Sequence, residues 1–163
     1  MEAVYMAEMI KVEHINPFLA SAVTILDQVC QVKVSPGKVS LDNPCIDGSP
    51  MFIMLGVTGE ITGQVCMVLG IDVAKEIASR MMMGMPIEEI DDMAKSALSE
   101  LGNMILGNAA TILSSDNVLI DITPPTLGTG NARMTSPNMK SIKVPLLCDG
   151  KEWISMYFLL KLA

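Results

Sequence analysis

Apolar positions along this chain change their period several times, and each change predicts an element. Phe18, Leu19, Ala22, Val23, Leu26 and Val29 recur at three and four residues, which lays one apolar stripe along a helix over residues 17 to about 31. Asn16-Pro17 ahead of it offers an N-cap followed by Pro at the first helical position, where the missing N–H is harmless. From Val32 to Gly70 the period falls to two. Val32/Val34, Val39/Leu41, Phe52 to Val57 and Ile61 to Leu69, divided by Pro36-Gly37, Asn43-Pro44, Gly48-Ser49-Pro50 and Thr58-Gly59, read as three strands, the last two forming a tight hairpin.

Asp72 is placed to cap a helix running to about Met83, with Gly84 as the left-handed residue that ends it. The longest periodic stretch follows, from about Ile87 to Ser114, and reads as a second, longer helix. Val118–Ile122, Ser141–Cys148 and Trp153–Leu162 then read as strands, with Pro124-Pro125, a Gly128-Thr129-Gly130 loop and an Asp149-Gly150 hairpin turn between them. The order helix, three strands, two helices, three strands segregates strands from helices, so the expected class is α+β, with helices packed on an antiparallel sheet. No linker or shift of charge divides the chain, and residues 1–163 read as one domain.

Composition narrows the chemistry. Half of the 163 residues are hydrophobic, 15 are Met, and there is a single His. A formal charge of −7 leaves no basic footprint for a phosphate backbone, so nucleic acid is not an expected partner. The longest charge-free apolar stretches, such as Ile61 to Ile71, fall far short of the ~20 residues that cross a bilayer, and Glu2, Glu8, Lys11 and Glu13 precede any apolar run, unlike a secretory signal. Cys30, Cys45, Cys66 and Cys148 are scattered with no C-x-x-C pair, which reads as reduced thiols of a cytoplasmic protein and not as a metal site.

The long helix presents a pattern of its own. At about 100° per residue, Ala94, Leu98, Leu101, Ile105 and Ile112 fall in one core stripe. Ser96, Glu100, Asn103 and Gly107 form a line on the opposite side, at spacings of four, three and four, with Met93 and Met104 beside it. Glu100 and Asn103 stand one turn apart, about 4.5 Å along the axis, and such a pair can reach into the site of another molecule. Gly107 costs ~1 kcal/mol of helix propensity against Ala, and lets a partner backbone approach closely. Met side chains adapt readily to protein partners. Spacing alone is weak evidence: Glu13 and Asn16 repeat it, but Pro17 places Asn16 at a helix start, where capping accounts for it.

The stretch Ser96-Ala-Leu-Ser-Glu100-Leu-Gly-Asn103-Met-Ile resembles the signature of the CheC/CheX/FliY group of chemotaxis phosphatases, a Ser or Asp, then Glu four later and Asn three after that. The opening Asn16-Pro17-Phe18-Leu19, the Pro124-Pro125 pair, the chain length and the presence of one signature instead of two resemble the CheX branch. The resemblance implies removal of the phosphoryl group from the aspartyl phosphate of a CheY-type response regulator, whose receiver domain carries the Mg²⁺; no metal is expected on this chain. It further implies that Asn103 orients the attacking water, that Glu100 pairs with the receiver's active-site Lys, and that Ser96, Gly107, Met93 and Met104 contribute to docking. A homodimer joined through its sheets is implied as well, with the last strand or the 118–130 region as a candidate edge.

The chain offers little for other chemistries. It has no G-x-S-x-G and no G-x-x-x-x-G-K-[ST], and His14 lies just before the first helix, where a surface or capping role is expected. Asp91-Asp92 and Glu88-Glu89 suit the N-terminal end of the long helix through its dipole. The competing reading is a non-catalytic module of the same fold, binding a receiver or resembling the flagellar switch proteins. For the last strand, Trp153, Tyr157 and Leu159 make the second face partly apolar, so it is either central in the sheet or covered by a partner.

Overall fold

The computed structural model describes residues 12–42, 50–129 and 141–163. Its order is α1 (Val12–Cys30), β1 (Ser35–Pro36), β2 (Ser40–Leu41), β3 (Met51–Gly59), β4 (Ile61–Leu69), α2 (Ile71–Met81), α3 (Asp92–Ser115), β5 (Ile120–Ile122), β6 (Thr126–Thr129), β7 (Ile142–Cys148) and β8 (Lys151–Leu162). The strands form one antiparallel sheet in the order β1-β7-β8-β4-β3-β5, with β2 also on β7 and β6 also on β3. The three helices pack on one another against one face of it. This is the expected α+β architecture.

The period-two pattern explains which face is covered. In β3, Met51, Ile53, Leu55 and Val57 are buried while Phe52, Met54 and Gly56 between them are half-buried. β7 keeps the alternation, with Ile142, Val144 and Leu146 buried, whereas β8 is buried continuously from Ile154 to Phe158 and again at Leu160. Two contacts fasten the helices to this surface. The Phe18 ring of α1 meets Phe158 of β8 with centroids 5.8 Å apart. Gly102 of α3 lies so close to β3 that a Cβ there would stand 3.0 Å from Ile53 Cγ2 and 3.1 Å from Leu55 Cδ1.

Several expectations are corrected. Pro17 lies inside α1, which already runs from Val12, so Asn16 is an exposed helical residue and not an N-cap. Pro17 forgoes one helical hydrogen bond, and the turn is held instead by Ile15 and Phe18, both wholly buried. At α2 the N-cap is Gly70, with Asp72 in the first turn; the helix ends at Met81, and both Met83 and Gly84 are left-handed. The long helix starts at Asp92, five residues later than expected, because the Asp91 carboxylate accepts a 2.9 Å bond from the Ala94 N–H and fixes the start there.

The Val32–Leu41 region yields no full strand. Val32 and Val34 are buried in irregular chain, and β1 and β2 are two-residue pieces on the edge of β7. Residues 126–129, placed partly in a loop by the sequence, form β6 and pair with Met51 to Met54 of β3. The last strand lies between β4 and β7, so it is central and supplies no edge, whereas β5 and β6 lie at the far margin. Asn43-Pro44, Gly48-Ser49, Cys45 and Gly130 lie outside the described residues. Among the described residues no helix is long and apolar enough to cross a membrane.

Candidate functional site

The site is built on α3. Its buried face is broader than the narrow stripe expected: Ala94, Leu98, Leu101 and Ile105 are buried, joined by Gly102, Leu106, Ala109 and Leu113, whereas Ile112 is only half-buried. The breadth follows from packing against two helices as well as the sheet. The α1 contact is polar at one point: the buried Ser21 hydroxyl donates to the Ile105 carbonyl, and the Asn108 amide donates to Ser21 Oγ at 3.1 Å. Wholly buried Ala22 beside Ser21 keeps the helices close, and the latch fixes the rotation of α3 about its axis.

That rotation decides what faces outward. Ser96 and Glu100 are exposed, Met93 is 60 % exposed, and Asn103 and Gly107 are half-buried. The line of four thus passes from open solvent into a more sheltered position toward the helix C-terminus. Met104, beside the line, is half-buried like Asn103 and packs against the core. A Cβ added at Gly107 would meet nothing within 4 Å, so the helix gives up propensity there with no packing in return. Among the described residues neither Glu100 nor Asn103 is engaged in a hydrogen bond or ion pair; the two salt bridges, Arg80–Glu76 and Lys143–Glu152, lie elsewhere.

A carboxylate and a carboxamide side by side, free of internal partners and held on a well-packed helix, can accept from a cation and orient a small polar molecule without first breaking bonds of their own. Glu13 and Asn16 show the same spacing on the exposed side of α1, followed directly by Pro17, and capping does not account for them. His14 is half-buried in the first turn described for α1, and its Nδ1 is buried without a hydrogen-bond partner among the described residues.

The thiols are placed away from any such use. Burial pushes the Cys66 thiol up to about 12 and the Cys30 thiol up to about 11, so both stay protonated at neutral pH. Among the described residues no group of three His, Cys, Asp or Glu side chains is placed to hold a metal ion. Sequence reasoning missed Gly102, Ser21 and Asn108, which set the depth and rotation of α3. Gly102 carried a signal, since glycine inside a long helix is costly wherever it occurs. Ser21 and Asn108 carried none.

The comparisons with known proteins agree on one family. The model of chemotaxis phosphatase CheX matches residues 51–152, which take in β3 through β7, the first two residues of β8, and all of α2 and α3. The CheY-P phosphatase CheX of Thermotoga maritima is 27 % identical over 147 residues, covering 90 % of this chain and 95 % of that protein. The crystal structure of a CheX-CheY-BeF3-Mg²⁺ complex from Borrelia burgdorferi matches with a TM-score of 0.76 at 25 % identity, covering 93 % of this chain and 99 % of that one. A chemotaxis protein CheX from Desulfovibrio desulfuricans matches with a TM-score of 0.78 at 18 % identity, covering 93 % and 99 %. With more than half of its length matched by the family model, the chain belongs to the chemotaxis phosphatase CheX family.

Proposed function

We propose that this chain dephosphorylates the aspartyl phosphate of a CheY-type response regulator by inserting the outer face of α3 into the receiver's site. The observation that carries the reading is the pair Glu100 and Asn103, one turn apart on the outer side of a helix whose other side is core, with neither side chain committed to an internal bond. The Thermotoga maritima relative is named for the same activity, and the Borrelia burgdorferi relative forms a complex with CheY.

In this reading a water oxygen bonds to phosphorus as the bond from phosphorus to the aspartyl oxygen breaks. The receiver's aspartate leaves with the electron pair as a carboxylate, and the water's protons pass to phosphate and solvent. Phosphoryl transfer of this kind gains chiefly from positioning and charge, so an amide that orients the water suffices and no nucleophile or imidazole is needed on this chain. Asn103 supplies that orientation, and Glu100 docks on the receiver's active-site Lys. Mg²⁺ on the receiver neutralises the phosphoryl oxygens. Ser96, Met93 and Met104 extend the contact along α3.

The test mixes the purified protein with a phosphorylated CheY-type receiver and Mg²⁺ and follows loss of the phosphoryl group against autohydrolysis. Acceleration supports the reading; binding without acceleration, across a panel of receivers, favours a non-catalytic module of the same fold.

Gly107 gives a second test. Gly107→Ala adds a methyl group into empty space, so the fold gains ~1 kcal/mol of helix propensity. The same methyl meets the docked receiver, and KM should rise several-fold while the thermal midpoint rises. An unchanged KM would place the receiver elsewhere on α3. We also propose that two copies associate through sheet edges, for which β5 and β6 are placed and β8 is not. Light scattering is expected to give twice the chain mass; a monomer mass at high micromolar concentration overturns this.

A further inference from the structure

The turn between α2 and α3 and the first turn of α3 carry three of the most exposed large apolar side chains among the described residues. Met83 is 98 % exposed, Met85 50 % and Met93 60 %. Exposed thioethers at one place are unusual enough to need a cause, since single exposed apolar residues are normally scattered. Met83 carries a further cost, because its φ of 60° lies in the left-handed region, where Gly or Asn is accommodated more cheaply. Its own chain gives this residue neither packing nor relief of strain.

Part of this surface is concave and reaches the first turn of α3, with Met83 outside the hollow. Met85 and Met93 line a cavity of about 330 Å³ together with Met82, Pro86 and Ile87, and Glu88, Glu89 and Asp91 line it too. Met93 belongs both to this cavity and to the outer side of α3 that leads through Ser96 to Glu100. Glu88, Glu89, Asp91 and Asp92 are exposed, and among the described residues no ion pair neutralises them; Lys95 on the next turn is the nearby cation in sequence. A hollow lined by thioethers and by carboxylates outside any ion pair among the described residues complements a segment that carries Lys or Arg heads on aliphatic stems.

We propose that Met83, Met85 and the cavity beside Met93 form a second docking contact for the same receiver, taking a basic and aliphatic segment of it while Glu100 and Asn103 occupy its phosphorylation site. The proposal rests on the reading of α3 given above. It assigns the α2–α3 turn a part in choosing among receivers, because base chemistry at the phosphorylation site is shared while the surface around it differs. Flexible thioethers suit such a contact, since they repack on differing surfaces at little cost.

The experiment uses the full chain and measures two things: the dissociation constant for a CheY-type receiver held with beryllofluoride and Mg²⁺, and steady-state dephosphorylation of the same receiver. The Met83→Asn/Met85→Ser pair is expected to raise the dissociation constant and KM at least tenfold with kcat unchanged, while the thermal midpoint holds or rises. Met83→Leu/Met85→Leu should restore binding, and Glu88→Lys/Glu89→Lys should weaken binding and flatten its salt dependence. Wild-type values of both constants in the Asn/Ser pair overturn this proposal while leaving the α3 reading intact. A wild-type chain that binds but does not accelerate hydrolysis removes the catalytic reading, and the binding arm still decides the patch. A chain that neither binds nor accelerates overturns both.

Discussion

Asn103→Ala is expected to lower kcat for receiver dephosphorylation by about 10²-fold, with little change in KM and no loss of stability. The Asn103 side chain makes no internal hydrogen bond among the described residues, so truncation leaves no orphaned partner inside the chain. Its position is half-buried on a helix, where Ala has the higher propensity, and the thermal midpoint should hold or rise slightly. The whole loss therefore falls on the chemical step, where a water no longer held in line with phosphorus must be ordered from solvent. Glu100→Ala provides the contrast: a docking carboxylate lost from an exposed position should raise KM with less effect on kcat. Single-turnover and steady-state rates on one phosphorylated receiver distinguish the two. A variant at Asn103 with full kcat would remove the water-positioning role, and unfolding of either variant would remove the outward placement of the pair.

Gly63→Ala should destabilise the fold by more than about 3 kcal/mol, lowering the thermal midpoint by roughly 6–12 °C. Gly63 lies in β4 opposite Leu160 of β8, with φ at +139°, a conformation that only glycine adopts without strain. A Cβ there would stand 1.9 Å from the Leu159 carbonyl oxygen and 3.0 Å from the Leu160 Cα. These are backbone atoms of a central strand, so they cannot rotate aside, and the two strands must part or slip. The core on which α3 rests includes Val65 and Phe158, paired in the same two strands, so activity should fall together with stability. Chemical denaturation measures the first, and a wild-type midpoint would show that the β4–β8 register differs from that described.

Local pattern recovered much of this molecule because a helix or strand in a small domain has one dry side, and periodicity reports that side directly. The helical face of Leu98, Leu101 and Ile105 was legible for this reason, and so was the outward side that carries Ser96 and Glu100. The hairpins at Thr58-Gly59 and Asp149-Gly150 were legible from turn chemistry, since φ is positive at Gly59, Asp149 and Gly150. The pattern failed at Pro17, where a local rule for helix starts lost to the burial of Ile15 and Phe18 on either side of it. It failed again at Asp72, since a capping residue two positions inside the helix looks the same in sequence as one at its start.

What the sequence determined by itself is the class of fold, the long helix and the pairing of Glu100 with Asn103 on its outer side, because all three depend on residues within a few turns of one another. What only the tertiary structure decided is where each element sits among the others. The central place of β8, the two-residue pairing of β1 and β2 on β7, and the half-burial of Asn103 and Met104 depend on contacts from distant parts of the chain. Periodicity says that a face is covered but not by what, and depth at the site is set by Gly102 against β3 and Ser21 against Ile105, each a meeting of residues far apart in sequence.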